Sequence, residues 1–398
     1  MTLPGPEGSI YLDACASSPP AASVLEVMAA AQATAWANPS SLHGYGLAAA
    51  DLLERSRQAI ASSLSAHDDQ VVFCSGGTEA AHLALAGAAA GLAPGRLVIS
   101  AVEHPAVDAA AHSLVRQGWT VVPCPVDVVG RVKIEALEAL LKPPTRLVSV
   151  IWGQSEVGTL QPIERIGSLC RQAGVIFHTD AVQVVGHQLI DFSALPVDLL
   201  SFTAHKLQGP RGIGVLLARR DLSLQPLLQG GGQEGGLRAG TESVVLAAGL
   251  AEALALCQRR LLENGGLDPL QIQREQLGRA LQRIPGVAIS GCPRHRLPHH
   301  LSLLVDDGAG QPLPGRRLVQ ALWRQGFAVS SGTACHQGQA GASPVLAAMG
   351  LAPAAAASGL RISLGPWLRG SDLAGVPQAL AAAQAEVAAE RRSDRSTD

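Results

Sequence analysis

Apolar residues fall along this chain in two rhythms. Short aliphatic or β-branched runs occur at Val71–Cys74, Arg96–Ser100, Thr120–Pro123, Leu147–Ile151, Val175–His178 and Asp198–Phe202. Such runs, bounded by turn formers, predict strands buried on both faces. Between them, as at Ala48–Leu64 and Pro162–Ala173, apolar positions recur at helical spacing and predict amphipathic helices. The alternation predicts an α/β fold, a mostly parallel sheet flanked by helices. Gly212–Ala218 follows the last run after a loop too short for a helical crossover, which predicts an antiparallel strand. After about Cys257 the rhythm changes. A helix at Gln271–Arg283, a strand at His299–Val305 and a helix at Arg316–Gln325 predict a smaller α+β domain, joined by an N-terminal strand near Ser9–Leu12. The polar tail Arg391–Asp398 is expected to fray.

Length and composition narrow the class. The chain has 398 residues, more than one small domain needs, and 47% are apolar. Aromatics supply only 3%, so the core must be built from Ala, Val, Leu and Ile. Glycine (43) and proline (25) are plentiful but follow no collagen period. Thirty basic against 32 acidic residues leave a formal charge of −2, which argues against nucleic acid as a partner. The apolar stretches Leu83–Ala93 and Val244–Leu256 are too short, or broken by Glu252, to span a bilayer. Met1–Gly8 lacks the basic and apolar regions of a secretory signal. Seven scattered cysteines with no C-x-x-C pair predict reduced thiols, a cytoplasmic protein and no metal site.

In open α/β sheets, ligands bind beyond the carboxyl ends of the strands. Val71–Cys74 leads into Ser75-Gly76-Gly77-Thr78-Glu79 and a helix. Free N–H groups, a hydroxyl and the positive helix end there suit a phosphate, and the plainer reading is an ordinary cap. Past the next strand stands His104, which either stacks on a flat ligand or caps a helix. Later strand ends carry Ser155, then Asp180 with Gln183, then Thr203-Ala204-His205-Lys206. Taken singly, Asp180 reads as a helix cap and Lys206 as a surface residue. Together they have a specific use. Pyridoxal 5'-phosphate needs a lysine to bond its aldehyde, a carboxylate to hold its ring nitrogen protonated, and a phosphate cradle, here Gly77-Thr78. Gly230–Gly235 formally matches G-x-G-x-x-G. Pro226 interrupts the segment before it and the next helix is expected only near Thr241, so it reads as a tight loop near a ligand and not as a dinucleotide fingerprint.

With these residues in place, the chain resembles the cysteine desulfurases of the nitrogen-fixation and iron–sulfur housekeeping type. The resemblance runs from Tyr11-Leu12-Asp13 to Arg361-Ile362-Ser363-Leu364-Gly365. Its markers include Asn38-Pro39-Ser40-Ser41-Leu42-His43, Ser75–Ala80, His178–Gln183, Ala204-His205-Lys206, Arg238-Ala239-Gly240-Thr241-Glu242 and Ser330–Cys335. It implies the fold type I of pyridoxal-phosphate enzymes, with a seven-stranded-type sheet. A large cofactor-binding domain would cover residues 15–257. Residues 1–14 and 258–398 would form the small domain carrying the catalytic cysteine.

The resemblance also implies roles. Lys206 would bond the cofactor, Asp180 partner the ring nitrogen and His104 stack on the ring. Gly77, Thr78, Thr203 and His205 would hold the phosphate, with Thr241 reaching in from the other subunit of a homodimer. Gln183 and Ser155 would lie beside the ring oxygen. Arg361, with Asn38, would clamp the substrate carboxylate, a task suited to a guanidinium. Cys335 would take sulfur from L-cysteine as a persulfide, leaving alanine, and pass it to an acceptor such as an iron–sulfur scaffold. Three departures bear on rate and partner: Asp13-Ala14-Cys15-Ala16-Ser17 where the family has Asp-Asn-Ala-Ala-Thr, Gln154-Ser155 where two asparagines are common, and Gly235 where an arginine is expected. Two alternatives stand beside this reading. One is a pyridoxal-phosphate-dependent cysteine, cystine or selenocysteine lyase that forms no enzyme persulfide; the other is a degenerate relative that only binds.

Overall fold

The computed structural model describes residues 8–332 and 342–396. Strand β1 is Ile10–Tyr11. β2 (Val71–Cys74), β3 (Arg96–Ser100), β4 (Thr120–Cys124), β5 (Thr145–Ser149), β6 (Ile176–Asp180), β7 (Leu199–Thr203) and β8 (Gly214–Ala218) form a seven-stranded sheet in the order β2-β8-β7-β6-β5-β3-β4. Neighbours from β7 to β4 are parallel, and β8 alone runs against both of its partners. The strands from β5 to β8 are buried at nearly every position, which explains why they read as continuous apolar runs and not as alternation.

Helices α1 (Ala22–Thr34), α2 (Gly44–Ser63), α3 (Gly77–Ala89), α4 (Pro105–Ser113), α5 (Ile134–Leu140), α6 (Ile163–Ala173) and α7 (Val244–Glu263) cover this sheet. α2 begins four residues before the predicted helix because the His43 ring caps it, accepting from the Gly46 N–H. The core is aliphatic, as the composition required. Leu83, Leu85, Leu97, Leu147 and Ile166 are fully buried, with Phe177, Phe192 and Phe202 the largest side chains inside.

A second sheet, in the order β12-β13-β10-β9, joins Val287–Ile289 (β9), His300–Val305 (β10), Ser330–Ser331 (β12) and Gly359–Ser363 (β13). β11 (Phe327–Ala328) pairs in parallel with β1. α8 (Leu270–Leu281), α9 (Gly315–Arg324) and α13 (Val376–Ser396) contribute to a separate apolar cluster with this sheet. The short α10 (Pro344–Ala348) and α11 (Pro353–Ala356) instead place Val345, Leu346 and Ala356 in the cluster under the large sheet. α12 is Gly370–Leu373. The tail differs from the frayed end that its polarity predicts: α13 runs through Ser396. The turns before it are tied to α9, Glu386 and Glu390 pairing with Arg324 and Arg317, and the tail's first residue, Arg391, donates to the Pro312 carbonyl. No helix among the described residues is long and apolar enough to cross a membrane.

Candidate active site

The carboxyl ends of β2, β5, β6 and β7 open on one cavity of about 420 Å³. It brings together Gly77, Thr78, His104, Ser155, Asp180, Gln183, Thr203, His205, Lys206 and Arg361. Asn38 and Thr241 lie elsewhere on the chain, together in a surface hollow beside Trp36 and Leu246. Cys335 lies outside the described residues.

The first turn of α3 forms one wall. Its N–H groups point out of a helix of 13 residues, so the positive end of a full macrodipole faces the cavity. Gly214 on β8 packs against this turn so closely that a Cβ there would sit 2.6 Å from the Gly76 carbonyl carbon. Glycine at that position is therefore a condition for the cradle's shape. Thr203 also lines the cavity, with its hydroxyl proton committed to the Ile213 carbonyl at 2.9 Å. His205 places Nδ1 3.2 Å from the Ser17 hydroxyl. Burial, then the Lys206 and Arg211 charges, push its pKa down to about 4, so the ring is neutral.

Asp180 ends β6 with 6% exposure and accepts from the Val182 N–H at 2.9 Å. Burial pushes its pKa up, while His104, the Val182 N–H and Lys206 pull the other way. Such a carboxylate gains most from a cationic N–H partner. His104 does both things its sequence position allows. Its Nδ1 accepts from the Ala106 N–H at 3.1 Å, capping α4, while the ring lines the cavity. That bond leaves the proton on Nε2, and burial holds the ring's pKa below the ordinary histidine range.

Lys206 reaches across to the turn after β1, donating to the Cys15 carbonyl at 2.6 Å and the Ala16 carbonyl at 2.8 Å. Gln183 donates to the same Cys15 carbonyl at 3.0 Å. Arg361, on β13, donates to Asp13 Oδ1 at 2.7 Å and to the Ser155 carbonyl at 3.1 Å. Ser155 thus contributes its main chain to the orientation of Arg361. Cys15 is fixed from behind: its main-chain N–H donates to the Ser363 hydroxyl at 2.9 Å, and its sulfur lies 3.3 Å from His299 Nε2. Burial pushes this thiol's pKa up, so Cys15 stays an uncharged prop.

Sequence reasoning missed Asp13 and Cys15, which line this cavity, and Glu103, which lines an adjoining one that shares His104, Ser155 and Arg361 with it. Glu103 is drawn in by the Ser100 hydroxyl at 2.6 Å and the Ile151 N–H at 2.7 Å, and burial pushes its pKa up to about 8. Only its place beside His104 in the sequence hints at this. Gly235, a departure from the family pattern, sits at φ +63°, where a glycine is at ease and an arginine is not. No group of three or more His, Cys, Asp or Glu suited to a metal occurs among the described residues.

The donor set fits a phosphorylated aromatic aldehyde. A helix N-terminus, a buried carboxylate, a lysine, a neutral imidazole and a guanidinium converge on one cavity, counterparts for a phosphate, a protonated ring nitrogen, an aldehyde, a ring face and a carboxylate.

Residues 10–374 match the family described as aminotransferase class-V. A cysteine desulfurase of Cereibacter sphaeroides is 39% identical over 368 residues, 92% of each chain. The cysteine desulfurase NifS of Azotobacter vinelandii is 36% identical over 359 residues, 89% of this chain and 87% of its own. A solved NifS-like protein superposes with a TM-score of 0.85 at 30% identity, covering 94% of this chain and 98% of its own.

Proposed function

The chain belongs to the class-V aminotransferases and, among them, to the cysteine desulfurases; from that premise we propose how its own residues carry the reaction. The family depends in general on pyridoxal phosphate, acts on L-cysteine and passes sulfur to acceptor proteins. Here Lys206 would bond the cofactor, Asp180 would hold the ring N–H, and His104 would lie against the ring. The α3 turn at Gly77-Thr78, with Thr203 and His205, would take the phosphate, and Gln183 and Ser155 would flank the ring oxygen. The observation that carries this reading is the convergence of Lys206, Asp180, His104 and Arg361 on one cavity at the strand ends.

Bound there, pyridoxal phosphate supplies an electron sink for the bonds of the substrate's α- and β-carbons. The chain supplies position and protons. Arg361, oriented by Asp13 and the Ser155 carbonyl, receives the substrate carboxylate. Lys206 Nζ, seated against the carbonyls of Cys15 and Ala16, is the group placed to carry protons at the substrate carbons. The Cys335 thiolate attacks the substrate sulfur. A new S–S bond forms, the C–S bond breaks, and its electron pair with one proton stays on carbon, so that cysteine plus enzyme thiol becomes alanine plus enzyme persulfide.

The assembly proposed is a homodimer. Trp36, Leu42 and Tyr45 are 62%, 90% and 66% exposed, and this apolar edge adjoins the hollow that holds Asn38 and Thr241. Covering it with a second copy would bury the patch and carry Thr241 toward the partner's phosphate and Asn38 toward its substrate. The six described cysteines are all free and buried, in keeping with a cytoplasmic protein, and the proposed sulfur acceptor is an iron–sulfur scaffold protein.

Incubation with L-cysteine followed by mass spectrometry of the Cys335 peptide tests the reading. The expected result is a mass increase of one sulfur and equimolar alanine. Cys335→Ala should keep the visible absorbance of the bound cofactor and lose sulfide release. Full release by that variant would make the protein a lyase that works without an enzyme persulfide.

A further inference from the structure

The reaction uses only Thr241 from the glycine-rich loop at residues 230–241, yet the rest of that loop is strongly held. Glu234 stands at φ +50° and ψ +42°, the left-handed region that a residue with a side chain enters at a cost. Its carboxylate is 1% exposed and accepts from Arg57 Nη1 at 2.8 Å, Arg57 Nη2 at 2.7 Å and the Phe73 N–H at 2.7 Å. Two of these bonds form a fork between full charges inside the protein, the arrangement that resists displacement best. Arg57 in turn donates to the Val71 carbonyl at 2.8 Å and lies over the Phe73 ring. The loop is thereby fastened to β2, the strand that runs directly into the phosphate-binding turn.

Four residues on, Arg238 Nε donates to Glu79 Oε1 at 2.9 Å. The other oxygen of Glu79 accepts from the Ser75 N–H at 2.6 Å. Glu79 therefore bridges the first residue of the turn and the loop that ends in Gly240-Thr241. An anion seated on the Gly77–Thr78 N–H groups aligns the turn, the turn sets Glu79, and Glu79 sets Arg238.

We propose that Glu234 and Arg238 are positioning residues that couple the two phosphate sites of the dimer. Glu234 locks the loop to β2. Arg238 ties it through Glu79 to its own chain's phosphate turn, and so fixes the Thr241 offered to the neighbouring chain. The proposal rests on the reading that Thr241 crosses between subunits. Cofactor at one site then helps hold cofactor at the other, a coupling carried by a described chain of contacts.

Release of pyridoxal phosphate from holoenzyme, diluted into cofactor-free buffer and followed by loss of visible absorbance, tests it. Wild-type release should accelerate after the first half, because the second cofactor has lost its neighbour's support. Arg238→Met and Glu79→Gln should each speed the first phase roughly three- to tenfold and abolish the acceleration. The double variant should release no faster than the faster single, since either change removes the same contact. Glu234→Gln strands the buried Arg57 charge and bears on folding, so the less deeply buried Arg238–Glu79 pair carries the measurement. Wild-type kinetics in Arg238→Met, or multiplying effects in the double variant, would overturn the lock. Thr241→Ala separates the two readings: unaltered release in that variant ends both the crossing of Thr241 and the coupling between sites, while the Arg238–Glu79 cycle still decides the link within one chain.

Discussion

Acidification should destabilise this protein through a histidine that never meets solvent. His178 lies in β6 with 0% exposure, directly before Thr179-Asp180. Its Nδ1 is 2.8 Å from the Ser149 hydroxyl and its Nε2 is 3.1 Å from the Ser201 hydroxyl, two neutral partners on the neighbouring strands. Burial without a counter-charge pushes its pKa from 6.5 down to about 3. The unfolded chain binds a proton below pH 6.5 and the folded chain does not until about pH 3. Between these values stability therefore falls as pH falls. Each pH unit in the window is worth about 1.4 kcal/mol. Going from pH 7 to pH 5 crosses about one and a half units of it, so His178 alone should remove about 2 kcal/mol. Urea unfolding of wild type and His178→Gln at both pH values isolates the term, because the other buried histidines are common to both proteins. The variant should be weaker at pH 7, having lost its place between two hydroxyls, yet lose about 2 kcal/mol less on acidification. Equal acid losses in the two proteins would refute the argument.

Arg361→Lys keeps the charge but loses the fork that binds Asp13 and the Ser155 carbonyl. It should raise KM for L-cysteine by roughly 10- to 100-fold, with a smaller effect on kcat, and an unchanged KM would remove Arg361 from the carboxylate site. Gly167→Ala in α6 would drive a methyl group into the Pro196 carbonyl, and urea unfolding should show a loss of about 1–3 kcal/mol, whereas a wild-type midpoint would mean that the contact yields freely.

The strands of the large sheet were legible because all but the edge strand β4 are buried at most positions on both faces and carry their signal in a few consecutive residues. Val71–Cys74 and Arg96–Ser100 match their runs residue for residue. β5 lies two residues earlier than its run, since Val150 and Ile151 stay buried after the ladder has ended. The cavity residues were legible for a related reason: topology puts polar residues after strands at one edge. Pairings between distant residues left no such trace. Asp13 meets Arg361 across 348 positions, and Arg57 meets Glu234 across 177. Nothing in the composition of a glycine-rich loop distinguishes an anchored carboxylate from a solvated one.

The joining of β1 to β11, and of Asp13 to Arg361, also fixes when the cavity is finished during synthesis. The turn that seats Lys206 leaves the ribosome first, but its partners on β13 emerge only near the end of the chain. A nascent chain can assemble much of the seven-stranded sheet without them, since local βαβ pairings close shorter loops. The wall that holds Arg361, Ser363 and the Cys15 carbonyl must wait. A chain cut short before residue 361 would therefore have a phosphate turn and a lysine but no substrate clamp, so the ability to handle cysteine should appear only once that part of the polypeptide has been made.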